Sequence, residues 1–193
     1  MNGTLKVIIA IFAILSIIGV LGILVSIGTY NGLVSADQDV QTQWAIVESK
    51  YQRRVDLIPN MVEVVKGITK QEQAVFIEVA KARSQWSNAK SPEDKLAAAS
   101  GIDSAISRLL MVQENYPQLK SNENFLALQA ELSGTENRIS VERDRYNEKV
   151  RDYNLKVRSF PSSIFAGMFG FKEKAFYKAD AGSENAPKVN FSN

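Results

Sequence analysis

The chain has no histidine and no cysteine among its 193 residues. Without histidine it lacks the commonest general base and the commonest metal ligand. Without cysteine it has no disulfide, no thiolate nucleophile and no thiolate metal site. A di-iron helical bundle built on Glu-x-x-His pairs is excluded outright. Glycine-rich phosphate loops are missing too. Gly167-Met168-Phe169-Gly170 has neither the preceding strand nor the lysine that a phosphate cradle requires. An excess of one charge is also lacking: 23 Lys and Arg face 21 Asp and Glu, interleaved to a formal +2. Nucleic acid therefore finds no electrostatic footprint. The expectation is a chain that is not an enzyme, has no cofactor or metal, and has no nucleic-acid partner.

Charge is absent altogether from one long stretch. Val7 to Ile27, VIIAIFAILSIIGVLGILVSI, has Ser16 and Ser26 as its strongest polar groups. As a helix it would reach roughly 32 Å, enough to cross a hydrocarbon layer about 30 Å thick with its backbone bonds satisfied internally. A core helix in water would show a polar face. A cleaved signal peptide is the rival, with Val34-Ser35-Ala36 as a small-residue cleavage site before Asp37. The apolar run exceeds the roughly 7 to 15 residues of a signal h-region, so an anchor that stays is expected. Lys6 precedes the span and the next basic residue is Lys50, so the orientation expected has the N-terminus inside and the domain outside the cytoplasm. Ser16, Gly19, Gly22 and Ser26, three or four apart, form a small-residue face on which such a helix can pack against another.

The rest reads as helix. Apolar residues recur at Val40, Trp44, Val47, Tyr51, Val55, Ile58, Val62 and Val65, then at Val75, Phe76, Val79, Ala82 and Trp86. Ser91-Pro92-Glu93-Asp94 marks a new helix start: a capping hydroxyl, proline at the first position and acids at the positive end. Its stripe is Leu96, Ala99, Ile102, Ile106, Leu109 and Gln113, stopped by Tyr116-Pro117. Ser121 and Glu123 open the last long helix, whose stripe runs Phe125, Leu128, Leu132, Glu136, Ile139, Arg143, Tyr146, Val150, Tyr153, Val157 and Phe160. Tyr146-Asn147 is echoed seven residues on by Tyr153-Asn154.

As one straight helix, residues 30–88 would reach roughly 88 Å, against about 36 Å and 58 Å for the later two. A break near Ile58-Pro59 gives two pieces of about 43 Å and an up-down-up-down bundle. The fold class expected is all-α: an N-terminal transmembrane helix followed by an elongated antiparallel up-and-down bundle. That bundle has four helices, or three with a kinked first helix.

The boundaries read as a short tail over 1–6, the span over 7–28, the bundle over 29–161, an apolar and aromatic segment over 162–178 and a flexible polar tail over 179–193. Ile164, Phe165, Met168, Phe169 and Phe171 either lie on the bilayer surface or pack onto the bundle's end.

Glu136 and Arg143 occupy stripe positions that ask for apolar groups. Buried charges need partners. Arg53, Arg54 and Asp56 on the first helix face Glu136, Asn137, Arg138 and Arg143 on the last as candidates for a polar network. It either fixes register or forms a site for a partner protein or small ligand.

These residues resemble the LemA family of bacterial membrane proteins. The likeness rests on Tyr30-Asn31-Gly32-Leu33-Val34, Trp44, Arg53-Arg54-Val55-Asp56-Leu57-Ile58-Pro59-Asn60, Val65-Lys66-Gly67 and Ala82-Arg83. It continues through Tyr116-Pro117-Gln118-Leu119-Lys120, Thr135-Glu136-Asn137-Arg138-Ile139, Arg143, the two Tyr-Asn pairs and Phe160-Pro161. It covers residues 28–172. Ile68-Thr69-Lys70-Gln71-Glu72 departs from it, standing where an aromatic and a histidine often precede the glutamate. The resemblance implies a short N-terminal tail, one helix in the bacterial cytoplasmic membrane and a helical-bundle domain. It supplies no reaction.

The function expected is a membrane-anchored, non-enzymatic scaffold of the cell envelope. Its partners are the lipid bilayer, further copies of itself as a homo-oligomer, and other envelope proteins. The alternatives are a partner-dependent ligand-binding or sensory bundle and a membrane-remodelling protein.

Overall fold

The structure, a computed structural model, describes residues 3–177. The polar tail expected over 179–193 lies outside the described residues, as do residue 178 and the side chains of residues 4–8 and 10, Lys6 among them. Among the described residues six helices follow in order: α1 (Gly3–Ile68), α2 (Gln73–Asn88), α3 (Pro92–Asn115), α4 (Pro117–Lys120), α5 (Glu123–Arg158) and α6 (Ser162–Phe169). No strand occurs among the described residues. The fold is all-α, as the periodicity requires.

The break does not fall at Pro59. That proline sits inside α1, which runs on to Ile68. A proline in a helix interior costs about 3 kcal/mol. Here Val55, Ile58, Met61 and Val65 are all buried around it, so burial of the stripe outweighs the lost hydrogen bond. The turn comes instead at 69–72, where the Thr69 hydroxyl accepts the Gln71 amide at 3.2 Å. Both the four-helix reading with a break at Ile58-Pro59 and the single kinked helix over 30–88 are corrected to this position. Two smaller corrections concern α5. Its first turn is capped by Asn122, whose side chain accepts the Phe125 amide at 3.0 Å, and not by Ser121. Phe160, expected on its stripe, is 82% exposed. The cap of α3 is as expected: Ser91 Oγ accepts the Asp94 amide at 3.0 Å, with Pro92 in the first turn.

The chain divides into two units. Among the described residues, unit 1 draws on the chain up to Thr42 and on Glu148–Lys174, and unit 2 on Gln43–Asn147 and from Ala175 onward.

In unit 2, α1 meets α5 antiparallel, through Gln43 to Glu142 and Arg53 to Glu131. It meets α2 antiparallel, through Trp86 to Gln52 and Lys66 over Phe76. It runs parallel to α3, through Lys95 to Glu48 and Arg54 to Asp103. These directions are those of an up-down-up-down four-helix bundle. Val47, Tyr51, Ile58, Met61, Trp86, Ile102, Leu109, Phe125 and Ile139 fill its core.

In unit 1, Lys149 faces Asp39 at 3.6 Å and Lys156 donates to the Gly32 carbonyl at 3.3 Å, so α1 and α5 are again antiparallel. Leu33, Ala36, Val40, Val150, Tyr153, Asn154 and Ala166 are its buried side chains among the described residues. Gly170, at φ 78, closes α6 in the left-handed conformation that glycine adopts without steric cost.

Candidate functional site

Three helices bring charge into the core of unit 2. Arg54 is one residue before buried Val55, and its side chain is 7% exposed. It donates to Asp103 of α3 at 2.6 Å and to Glu136 of α5. Arg143, one heptad beyond Glu136, donates to the other oxygen of Asp103 at 2.7 Å and stands 3.8 Å from Glu136. Two guanidiniums and two carboxylates thus alternate, with Asp103 bridging both arginines. Tyr51 donates to Asp103 at 3.3 Å and its hydroxyl lies 3.0 Å from that of Tyr177. The Arg143 guanidinium lies over both rings, 5.1 Å from the centre of Tyr51 and 4.2 Å from that of Tyr177.

Of the seven residues expected in this network, the structure gathers Arg54, Glu136 and Arg143. Arg53 reaches Glu131 at 2.8 Å on the surface. Asp56 accepts from Gln52 at 2.8 Å, also exposed. Asn137 and Arg138 face solvent. Sequence reasoning missed Asp103, Tyr51 and Tyr177. Asp103 did carry a signal: it is the only acid between Asp94 and Glu114, beside the stripe residue Ile102. Among the described residues its two guanidiniums face two carboxylates. Among the described residues no three acidic side chains converge as they would to hold a metal ion.

Unit 1 carries the apolar end. Among the described side chains between Ile9 and Ile27, every large apolar residue of α1 is more than half exposed. Ser16, Gly19 and Gly22 are uncovered, and a Cβ added at either glycine would meet nothing within 4 Å. The Ser26 hydroxyl donates to the Gly22 carbonyl at 2.7 Å, inside its own helix. Past the run, Tyr30 packs edge-on against Phe169 at 4.8 Å and Phe171 at 6.0 Å. Ser26, Ile27, Tyr30, Phe165, Met168 and Phe169 line a cleft of 420 Å³. Ile164, Met168 and Phe169 are more than half exposed.

The Tyr-Asn echo on α5 also acquires a role. In unit 1, Asn154 accepts the Lys174 amide and donates to the Lys174 carbonyl, both at 2.9 Å, while Tyr153 donates to the Lys172 carbonyl at 2.9 Å. In unit 2, Asn147 brackets Tyr177 in the same way at 2.8 and 3.1 Å, and Tyr146 donates to the Ala175 carbonyl at 3.4 Å. Burial, with Glu93 adding to it, pushes the Tyr146 phenol up to about 12. Burial and then Asp37 raise that of Tyr153. Both therefore stay protonated and able to donate throughout the physiological range.

An all-α fold and, among the described residues, one helix long and apolar enough to cross a membrane define a membrane-associated helical protein. The chain belongs to the LemA family, which it matches over residues 43–191. It is similar to the magnetosome protein MamQ 2 of Paramagnetospirillum magneticum, 24% identical over 77% of this chain and 64% of the relative. The magnetosome protein MamQ of Magnetospirillum gryphiswaldense is 23% identical over the same shares. Protein LemA of Metamycoplasma hominis is 25% identical over 73% of this chain and 62% of the relative. The chain therefore spans just under two thirds of the length of each. None of these names is that of an enzyme.

Proposed function

We propose that the chain is a membrane-anchored, non-enzymatic scaffold of the bacterial cell envelope that self-associates and presents its helical bundle to envelope partners. In this reading residues 7–28 span the cytoplasmic membrane, the bundle of 29–161 lies outside the cytoplasm, and Ile164, Phe165, Met168, Phe169 and Phe171 meet lipid. The observation that carries it is the continuity of α1: the exposed apolar run and the packed stripe from Leu33 to Val65 belong to one unbroken helix.

Self-association draws on Ser16, Gly19, Gly22 and Ser26, small residues of which the first three are left uncovered within the chain, along which two helices can approach closely. Light scattering of the full-length protein in detergent is expected to give a discrete oligomer, and Gly19→Leu with Gly22→Leu to lower its mass. A wild-type monomer overturns the reading and moves the function to a partner-dependent bundle.

The cleft beside Tyr30 favours a second, compatible reading in which α6 lies in the lipid interface. Phe165→Ser with Phe169→Ser is then expected to change the depth at which a fluorophore placed on α6 sits in liposomes containing the full-length protein. Unchanged depth counts against it.

A further inference from the structure

Each Tyr-Asn pair on α5 reads the backbone of an extended segment. A carboxamide that both donates to and accepts from one residue needs that residue's N–H and C=O on the same side, which extended chain supplies. Asn154 holds Lys174 in this way in unit 1, and Asn147 holds Tyr177 in this way in unit 2.

The side chains between contribute little: Ala175 is exposed and Phe176 is 46% exposed. Tyr177 is the exception, seated in unit 2 over Arg143 with its hydroxyl at that of Tyr51. Recognition is thus of extended main chain plus one aromatic anchor. Such contacts, without deep apolar burial, lie at the weakly held end of a structure's local stabilities.

We propose that this track is an exchange site between copies: residues Ala175–Tyr177 of one chain seat on Arg143, Tyr146 and Asn147 of a second. The inference rests on the self-association reading and gives it a means. The segment's own fit fixes the ligand class, since a second copy presents the same backbone and the same tyrosine. Tyr153 and Asn154 keep Lys172 and Lys174 on their own chain, so the exchanged segment begins after Lys174.

Two differently tagged full-length variants in detergent test it, one lacking the track (Tyr146→Phe with Asn147→Ala) and one lacking the anchor (Tyr177→Ala). Exchange predicts that each alone associates about tenfold more weakly or worse. Mixed, the two are expected to co-purify, because the first still donates a segment to the second's intact track. Wild-type assembly mass in both variants overturns the exchange and leaves self-association standing on another surface. Variants monomeric both alone and mixed also overturn it. A monomeric wild type overturns the exchange and the scaffold reading together. Far-UV circular dichroism of each variant separates lost association from lost folding, and complementation in the mixture cannot arise from unfolded chains.

Discussion

Asp103→Ala will lower the stability of the bundle by about 3 kcal/mol, because it takes a carboxylate partner from two arginines that have little water to turn to. Arg54 is 7% exposed and Arg143 15%, and Asp103 is the more buried of the two carboxylates they share. Removing one partner from a buried pair costs more than the pair contributes, since the remaining charge keeps its desolvation penalty. Glu136 stays in contact with both arginines and is 40% exposed, which holds the loss to the low end of that class. A melt followed by circular dichroism should show the midpoint falling by roughly 6–12 °C. Arg53→Ala is the control. Its bond to Glu131 joins side chains 60% and 40% exposed, and surface pairs of this kind contribute about 0.5 kcal/mol or less. Equal shifts for the two substitutions would remove the network from the account of stability.

The same contrast shows what the sequence made legible. Glu136 and Arg143 stood out because they interrupt an apolar period, and Arg54 because it lies in a charged run beside one. Asp103 sits just off its stripe, where an acid ordinarily faces solvent, so periodicity gave it no weight. Tyr177 was out of reach for a different reason. It lies in a segment with no helical period, and only placement of that segment along α5 brings it to Arg143. The Tyr-Asn echo was visible as a heptad but mute, because its partner is backbone and backbone has no sequence signature.

Boundaries divide in the same way. The start of α3 was written in local chemistry, with a hydroxyl, a proline and two acids in consecutive positions, and the structure uses all of it. The turn at 69–72 has only a threonine hydroxyl and a preceding Gly67 to announce it. Pro59 announces a break that does not occur, since a missing N–H is a local cost and the burial of Val55, Ile58, Met61 and Val65 is a tertiary gain. The alternation of directions survived this error because it depends on how many turns there are.

Trp86→Ala should cost about 3–5 kcal/mol, the range for truncating a fully buried tryptophan whose surroundings collapse only in part. The indole is 0% exposed and packs on Tyr51 with ring centres 5.0 Å apart. Its Nε1–H donates to Gln52 at 3.2 Å, and Lys95 lies over it at 4.6 Å while paired with Glu48. Trp86→Phe keeps much of the apolar contact and should cost about 1–2 kcal/mol. Trp44, buried against Tyr146 at 5.5 Å in the same unit, remains as the fluorescent reporter of unfolding. The two large losses should not add. Trp86 supports the Tyr51 ring, and the Tyr51 hydroxyl is 3.3 Å from Asp103, so truncating either one loosens the packing that the other needs. A coupling of about 0.5–3 kcal/mol is expected in the double variant, measured against the sum of the singles. Strict additivity would mean that Tyr51 does not connect the apolar layer under α2 to the charge network, and that the two are separate devices within one bundle.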